Sequence, residues 1–195
     1  VQADIAVMET VFVESETDLS DGVFSRDVIV KPAISAGSNN TARYKNDVAG
    51  ATEHARRLLN SGIAVLAQPY QSAIDEYGET GLVYLGGQFS HGFRKAPIFA
   101  DNDQNHNGLY VVEEITLRIP SAAERAFGDT VVAFVKNKFG VSPLYARVDM
   151  VVNAAGVPEL MELELTEPSL FLHLDDESPA RASLAFANAA STNER

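Results

Sequence analysis

The sequence predicts an α+β fold in two lobes of antiparallel sheet, and two hairpins with two interleaved helical stretches carry that expectation. The first hairpin is TGLVYLGGQFSHGFRK, Thr80 to Lys95, in which Gly86-Gly87 makes a two-residue turn. The second joins RVDMVV (Arg147 to Val152) to MELEL (Met161 to Leu165) through NAAGVP, a short connection that carries Gly and Pro. One helix is expected before the first hairpin and one between the two.

In chain order, TVFVES (Thr10 to Ser15) and RDVIVKP (Arg26 to Pro32) are short, β-branched-rich runs and read as strands. SAGSNNT, Ser35 to Thr41, is turn-rich. NDVAGATEHARRLLNSG then has apolar residues at helical spacing, with Asn46 as the cap and Gly62 as the stop. IAVLAQPY (Ile63 to Tyr70) reads as a buried strand. After the first hairpin a polar stretch, Asp101 to Gly108, precedes the strand LYVVEEITL. A long helix runs from Ser121 to Lys138 and ends at Gly140, and the tail from Pro179 to Ala190 is helical. The lobes are expected to be 1–70 and 71–195.

Composition excludes several function classes. A net charge of −12 argues against a nucleic-acid backbone or an anionic membrane as the main partner. There is no Cys, so neither a disulfide framework nor a thiolate metal site exists. No run of eighteen apolar residues appears. With no signal-like segment and Val1 rather than Met at the start, the sequence reads as a cytoplasmic chain trimmed from a longer one. A homodimer is left open.

Three stretches bear chemistry. In the second hairpin Arg147, Asp149 and Val151 share one face, as do Glu162 and Glu164, with Met161, Leu163 and Leu165 behind. If Val152 faces Glu159, Asp149 lies opposite Glu162 and Arg147 opposite Glu164. Like charges so placed destabilise a sheet, so something positive must sit between them. Asp149, Glu162 and Glu164 would suit Mg²⁺, which takes one or two carboxylates plus substrate phosphates; a solvated strand face is the plainer reading. Lys31 ends an apolar strand before a small Gly-containing loop able to cradle phosphate, although a strand-end Lys commonly just reaches for water. That loop is not GxxxxGK[ST], so a P-loop is excluded. In SHGFRKAP, Arg94 and Lys95 point to opposite faces, so one of them can face an interior cleft. His54, His106 and His173 lack partners at metal-ligand spacing and read as surface or packing residues.

VIVKP with its small-residue loop, QPY before GE, the basic strand ending in RK, and RVD…ELEL…PSL follow one another as in the ATP-grasp superfamily. The chain resembles the glutathione synthetase and ribosomal-S6-modification ligases, and also the cycloserine-type cyclo-ligases. The resemblance implies an ATP-grasp fold with a nucleotide cleft between the lobes, the smaller acting as lid. It implies that Lys31 contacts ATP phosphates under the loop Ser35, Gly37 and Ser38, with Gln68 and Tyr70 as the hinge beside adenine and Glu79 near the ribose. Arg94 would steady the transferred phosphate, Arg147 the acyl phosphate, and Asp149, Glu162 and Glu164 would hold Mg²⁺, which Mn²⁺ could replace. Glu164 stands where many relatives carry Asn. The implied activity is ATP-dependent joining of a small-molecule carboxylate to an amine through an acyl phosphate. The N-terminal domain that helps bind the acceptor is expected to lie outside this sequence. Without it, a non-catalytic or degenerate nucleotide-binding module is the competing expectation, and a purely structural α+β domain a third.

Overall fold

The computed structural model describes residues 4–20, 22–35, 38–98 and 114–192, which fall into two compact units. One is Met8–Asp75 with residues 97–98; the other takes residues 4–7, Glu76–Ala96 and 114–192. The division expected after Tyr70 falls after Asp75, because Tyr70 is tied to the first unit. Its amide donates to the Asp27 carbonyl at 2.8 Å and its hydroxyl bonds the Asp75 carboxylate. Residues 4–7 join the second unit through the Leu160 amide, which donates to the Ala6 carbonyl at 2.9 Å. His106 and the polar stretch Asp101 to Gly108 lie outside the described residues.

The first unit is an antiparallel sheet backed by a helix. Its elements are β1 (Val11–Val13), β2 (Val28–Pro32), β3 (Ala42–Tyr44), α1 (Val48–Asn60) and β4 (Val65–Pro69), with sheet order β1-β4-β2-β3. Alternation in β2 turns Val28 and Val30 toward Ala51, Ala55 and Leu58 of α1. The other face follows from the register: Lys31 lies opposite Leu66, and Ile29 lies between Arg43 and Gln68. The cap of α1 is Asp47, whose carboxylate accepts from the Gly50 amide at 2.9 Å; Asn46, the expected cap, instead takes φ 56° one residue earlier. β3 falls between the turn-rich stretch that ends at Thr41 and the helix, where no strand is expected, since three residues are too short to show a period.

After the short helix α2 (Ala73–Tyr77) come β5 (Glu79–Leu85), β6 (Gln88–Lys95), β7 (Ile115–Arg118), α3 (Ala122–Phe139), β8 (Tyr145–Val152), β9 (Pro158–Glu164) and α4 (Ser178–Thr192). The second sheet is antiparallel in the order β7-β6-β5-β8-β9. Gly86 and Gly87 both have positive φ, as the two-residue turn requires. α3 starts on a capping box: the Ser121 hydroxyl accepts from the Glu124 amide and the Glu124 carboxylate accepts from the Ser121 amide. Glu124 also accepts from the Thr80 hydroxyl at 2.7 Å, which fastens the helix to β5. Leu82, Tyr84, Val148 and Met150 face α3, while Val83, Leu85 and Phe93 face Ala182 of α4.

Two bulges set what this second face presents. Met150 pairs with Leu160 and Asp149 with Glu162, so Met161 is an extra residue in β9. The strand thus begins with Val152 opposite Pro158 rather than Glu159, and the bulge restores the expected pairs Asp149–Glu162 and Arg147–Glu164. It also puts Leu160, not Met161, against the core. In β6, Val83 pairs with His91 and Tyr84 with Phe89, so Ser90 is the extra residue. Gly81 lies opposite Phe93, and a Cβ there would sit 2.1 Å from the ring; the absent side chain is what lets Phe93 lie across β5.

His54 of α1 is 3% exposed against Tyr44, and neither ring nitrogen has a hydrogen-bond partner among the described residues. Burial, with Arg57 adding, pushes its pKa down to about 4. A folded value below the unfolded one gives stability that is full above pH 6.5 and lost as pH falls toward 4. His54→Phe is expected to remove about 2 kcal/mol of that pH dependence, read from urea midpoints at pH 7 and pH 4.5. Equal pH dependence in the two proteins would contradict a buried neutral His54.

Candidate active site

Asp149 sits in the middle of β8, with β5 on one side and β9 on the other, so its carboxylate is covered by sheet and is 0% exposed. Alternation brings Arg147 to the same face, and its guanidinium grips Asp149 with two nitrogens: Nε donates to Oδ1 at 2.9 Å and Nη2 to Oδ2 at 2.8 Å. From β6, Lys95 Nζ donates to Asp149 Oδ2 at 2.7 Å and lies 3.9 Å from Glu79. Arg147 Nη2 also bonds Glu164, its cross-strand partner, and its Nη1 donates to the Ser169 carbonyl at 3.3 Å. The positive charge demanded by the facing carboxylates is therefore supplied within the chain by Lys95 and Arg147.

Four carboxylates, Glu79, Asp149, Glu162 and Glu164, meet these two cations, which leaves a surplus of two negative charges. Burial alone would lower the Lys95 pKa, but Asp149 and then Glu79 outweigh it, and the ammonium is held above the ordinary lysine range. The same balance keeps Arg147 charged. Burial raises the Glu164 carboxyl, and Glu162 and Asp149 add to this against the pull of Arg147. Oxygens of Asp149, Glu162 and Glu164 lie within 4.8 Å of one another, Asp149 buried, Glu164 half-buried and Glu162 exposed. Glu162 makes no hydrogen bond among the described residues. Three hard oxygen donors with excess negative charge and one open carboxylate fit a divalent cation such as Mg²⁺.

Arg94 is not among these groups. It lies on the other face of β6 and its Nε donates to the Tyr77 carbonyl at 2.9 Å; the basic residue at the carboxylates is its neighbour Lys95. Alternation showed that the two oppose each other, but only the pairings of Lys95 with Glu79 and of Gly81 with Phe93 and Asp149 fix which one faces in. In the first unit Lys31 and Gln68 share one sheet face; Lys31 has no hydrogen bond or ion pair among the described residues, and Gln68 Nε2 donates to the Thr10 hydroxyl at 2.9 Å. The Tyr70 ring is covered on one side by the Arg43 guanidinium, 3.5 Å from its centroid, which Asp27 in turn grips at 2.9 Å and 2.6 Å. Ser35 is exposed, Ser38 is half-buried with φ 55°, and Gly37 lies outside the described residues. His173 is exposed in a single turn of 3-10 helix.

No protein-family model matches the sequence. The two antiparallel sheets with their helices are the ATP-grasp fold, which solved ligase structures share. The chain is similar to the cycloserine biosynthesis protein DcsG of Streptomyces lavendulae, 32% identical over 166 residues that make up 84% of this chain and 55% of that protein. A crystal structure of D-cycloserine synthetase DcsG matches with a TM-score of 0.83 at 28% identity, covering 95% of this chain and 65% of that one. D-alanine–D-alanine ligase from Bacillus anthracis, complexed with ATP, matches with a TM-score of 0.60 at 18% identity over 94% of this chain and 58% of its own. The ligase PsnB, complexed with minimal precursor, Mg and ADP, matches at 0.59 and 18% over 98% and 55%. The last two show likeness of fold alone. The chain spans little more than half the length of the curated relative it matches. No helix among the described residues is long and apolar enough to cross a membrane.

Removing Lys95 strips a buried carboxylate of one of its two cations. Lys95→Ala is expected to destabilise the protein by about 3 kcal/mol in urea unfolding. Arg94→Ala, which loses a partly exposed hydrogen bond, is expected to cost under about 1 kcal/mol. Equal losses would contradict the assignment of Lys95 to the buried network.

Proposed function

We propose that the chain is the ATP-grasp portion of an ATP- and Mg²⁺-dependent ligase that joins a small-molecule carboxylate to an amine through an acyl phosphate. The observation that carries this reading is the buried Asp149 network, in which two cations and an excess of carboxylates converge on one face of the second sheet. A substrate carboxylate oxygen attacks the γ-phosphorus of ATP, and the bond to the departing ADP oxygen breaks. The amine then attacks the acyl carbon, phosphate leaves, and the amine nitrogen loses its proton. A bound divalent cation supplies neutralisation of the phosphate oxygens and holds them in line for transfer.

The chain's own residues position charge in this reaction. Asp149, Glu162 and Glu164 are the proposed cation ligands. Lys95 takes the role first given to Arg94, next to the transferred phosphoryl group, and Arg147 orients the acyl phosphate. Lys31, Ser35, Gly37, Ser38, Gln68, Tyr70 and Glu79 are the proposed nucleotide contacts, supported by the resemblance in sequence. One observation favours a second reading, a nucleotide-binding module without ligase activity: Glu164 is engaged by Arg147 where relatives commonly carry Asn. Both readings require nucleotide binding, and only the first requires turnover.

Two variants test the shared requirement. Lys31→Ala is expected to weaken ATP binding in calorimetry while leaving the unfolding midpoint unchanged, because Lys31 makes no hydrogen bond or ion pair among the described residues. Unaltered affinity would remove Lys31 from the site. Glu162→Gln takes one charge from a facing pair, so the metal-free protein should melt at the same temperature or slightly higher. It should also lose most of the shift given by Mg²⁺·ATP, since roughly hundredfold weaker binding removes up to about 2.7 kcal/mol of ligand stabilisation. Equal ligand-induced shifts in the two proteins would show that Glu162 is not a cation ligand.

A further inference from the structure

Arg147 is held by more than its carboxylates. Its Nη1 donates to the Ser169 carbonyl, and its guanidinium carbon lies 5.9 Å from the ring centroids of both Phe93 and Phe171. Ser169 and Phe171 belong to a segment without regular structure after β9, and Phe171 takes the left-handed conformation, φ 46°, which costs a bulky residue energy. Something must over-determine that turn. His91 contributes: its Nε2 lies 2.9 Å from the Leu170 carbonyl, midway between the two contacts to Arg147, while the Phe171 ring packs on Phe93 at 4.7 Å.

We propose that His91 is a positioning residue for Arg147, acting through the Ser169–Phe171 turn, and that the bulge at Ser90 fixes the tautomer it needs. The Leu170 carbonyl can only accept, so Nε2 carries the proton. The Ser90 hydroxyl, 3.0 Å from Nδ1, donates to that nitrogen and accepts from Arg181 Nε at 3.1 Å. Arg181 is anchored on α4 and paired with Asp175 and Glu177. The hydrogen bonds thus run in one direction, from Arg181 to Ser90 to His91 to the turn that seats Arg147. Burial, with Arg181 nearby, keeps the imidazole below the ordinary histidine range despite Asp175 and the Leu170 carbonyl, which favours the neutral form this chain of bonds uses.

The role given to Arg147 rests on the ligase reading, but its positioning by His91 can be measured without substrate. In ¹⁵N spectra of the wild-type protein at pH 7, His91 is expected to show the neutral Nε2–H tautomer; the Nδ1–H tautomer would overturn the proposal. Exchange of the Arg147 Nε–H with water is expected to accelerate at least about tenfold in His91→Ala and to stay within about threefold of wild type in His91→Gln, whose amide nitrogen reaches the place of Nε2. His91→Asn, whose amide reaches only the place of Nδ1, should behave like the Ala variant. Unchanged exchange in His91→Ala, or equal acceleration in the Gln and Asn variants, would overturn it. If these results hold while the wild type shows no calorimetric binding of Mg²⁺·ATP, the positioning of Arg147 stands and the ligase reading falls.

Discussion

Asp149 is a carboxylate with no access to water, and the second unit pairs it with two cations. An uncompensated buried charge costs several kcal/mol, so Arg147, two residues along β8, and Lys95, reaching across β5 from β6, must both meet it with good geometry. The register of β6, β5 and β8 puts Lys95 and Asp149 on one face, and the Met161 bulge in β9 returns Glu162 and Glu164 to it. The site is incomplete: its cations meet further carboxylates, and the balance stays negative. A bare protein tolerates this surplus because Glu162 is in water. A bound cation would resolve it.

How much of this was legible in the sequence depends on the length over which a pattern runs. Alternation over Arg147 to Val152 and over Met161 to Leu165 was enough to pair Asp149 with Glu162 and Arg147 with Glu164. The premise that Val152 faces Glu159 was one residue off, and the pairs hold because an equal and opposite step occurs at Met161. A bulged residue looks like any other in a sequence, so neither this bulge nor the one at Ser90 could be foreseen. Arg94 and Lys95 show the same limit. Alternation separates them, but the side that faces the carboxylates is fixed by cross-strand partners far along the chain. β3 and α2 escaped notice because three to five residues carry no period. The long helix α3 was legible from Ser121 to Gly140, and the structure adds the capping box at its start and the left-handed Gly140 at its end.

The two units solve different problems with the same kind of sheet. In the first, alternation gives one apolar face to α1 and leaves the other with Lys31, Arg43 and Gln68, the last two buried. In the second, both faces are covered along much of their length, and the polar residues that remain are paired through several strands. Phe93 can lie across β5 only because Gly81 has no side chain, and the same ring then borders Arg147 together with Phe171. The absence of a side chain in one strand thus shapes the surroundings of a guanidinium in another.

The central claim is that the acidic excess around Asp149 binds a divalent cation together with nucleotide. Mn²⁺ can stand in for Mg²⁺ and its electron paramagnetic resonance signal changes when it is bound, so titration of Mn²⁺ into the protein with ATP reads the site directly. The account predicts a stoichiometric protein-bound Mn²⁺ signal with ATP in the wild type, and its loss in a variant that carries Asn at position 149 and remains folded. The same bound signal in both proteins would contradict it.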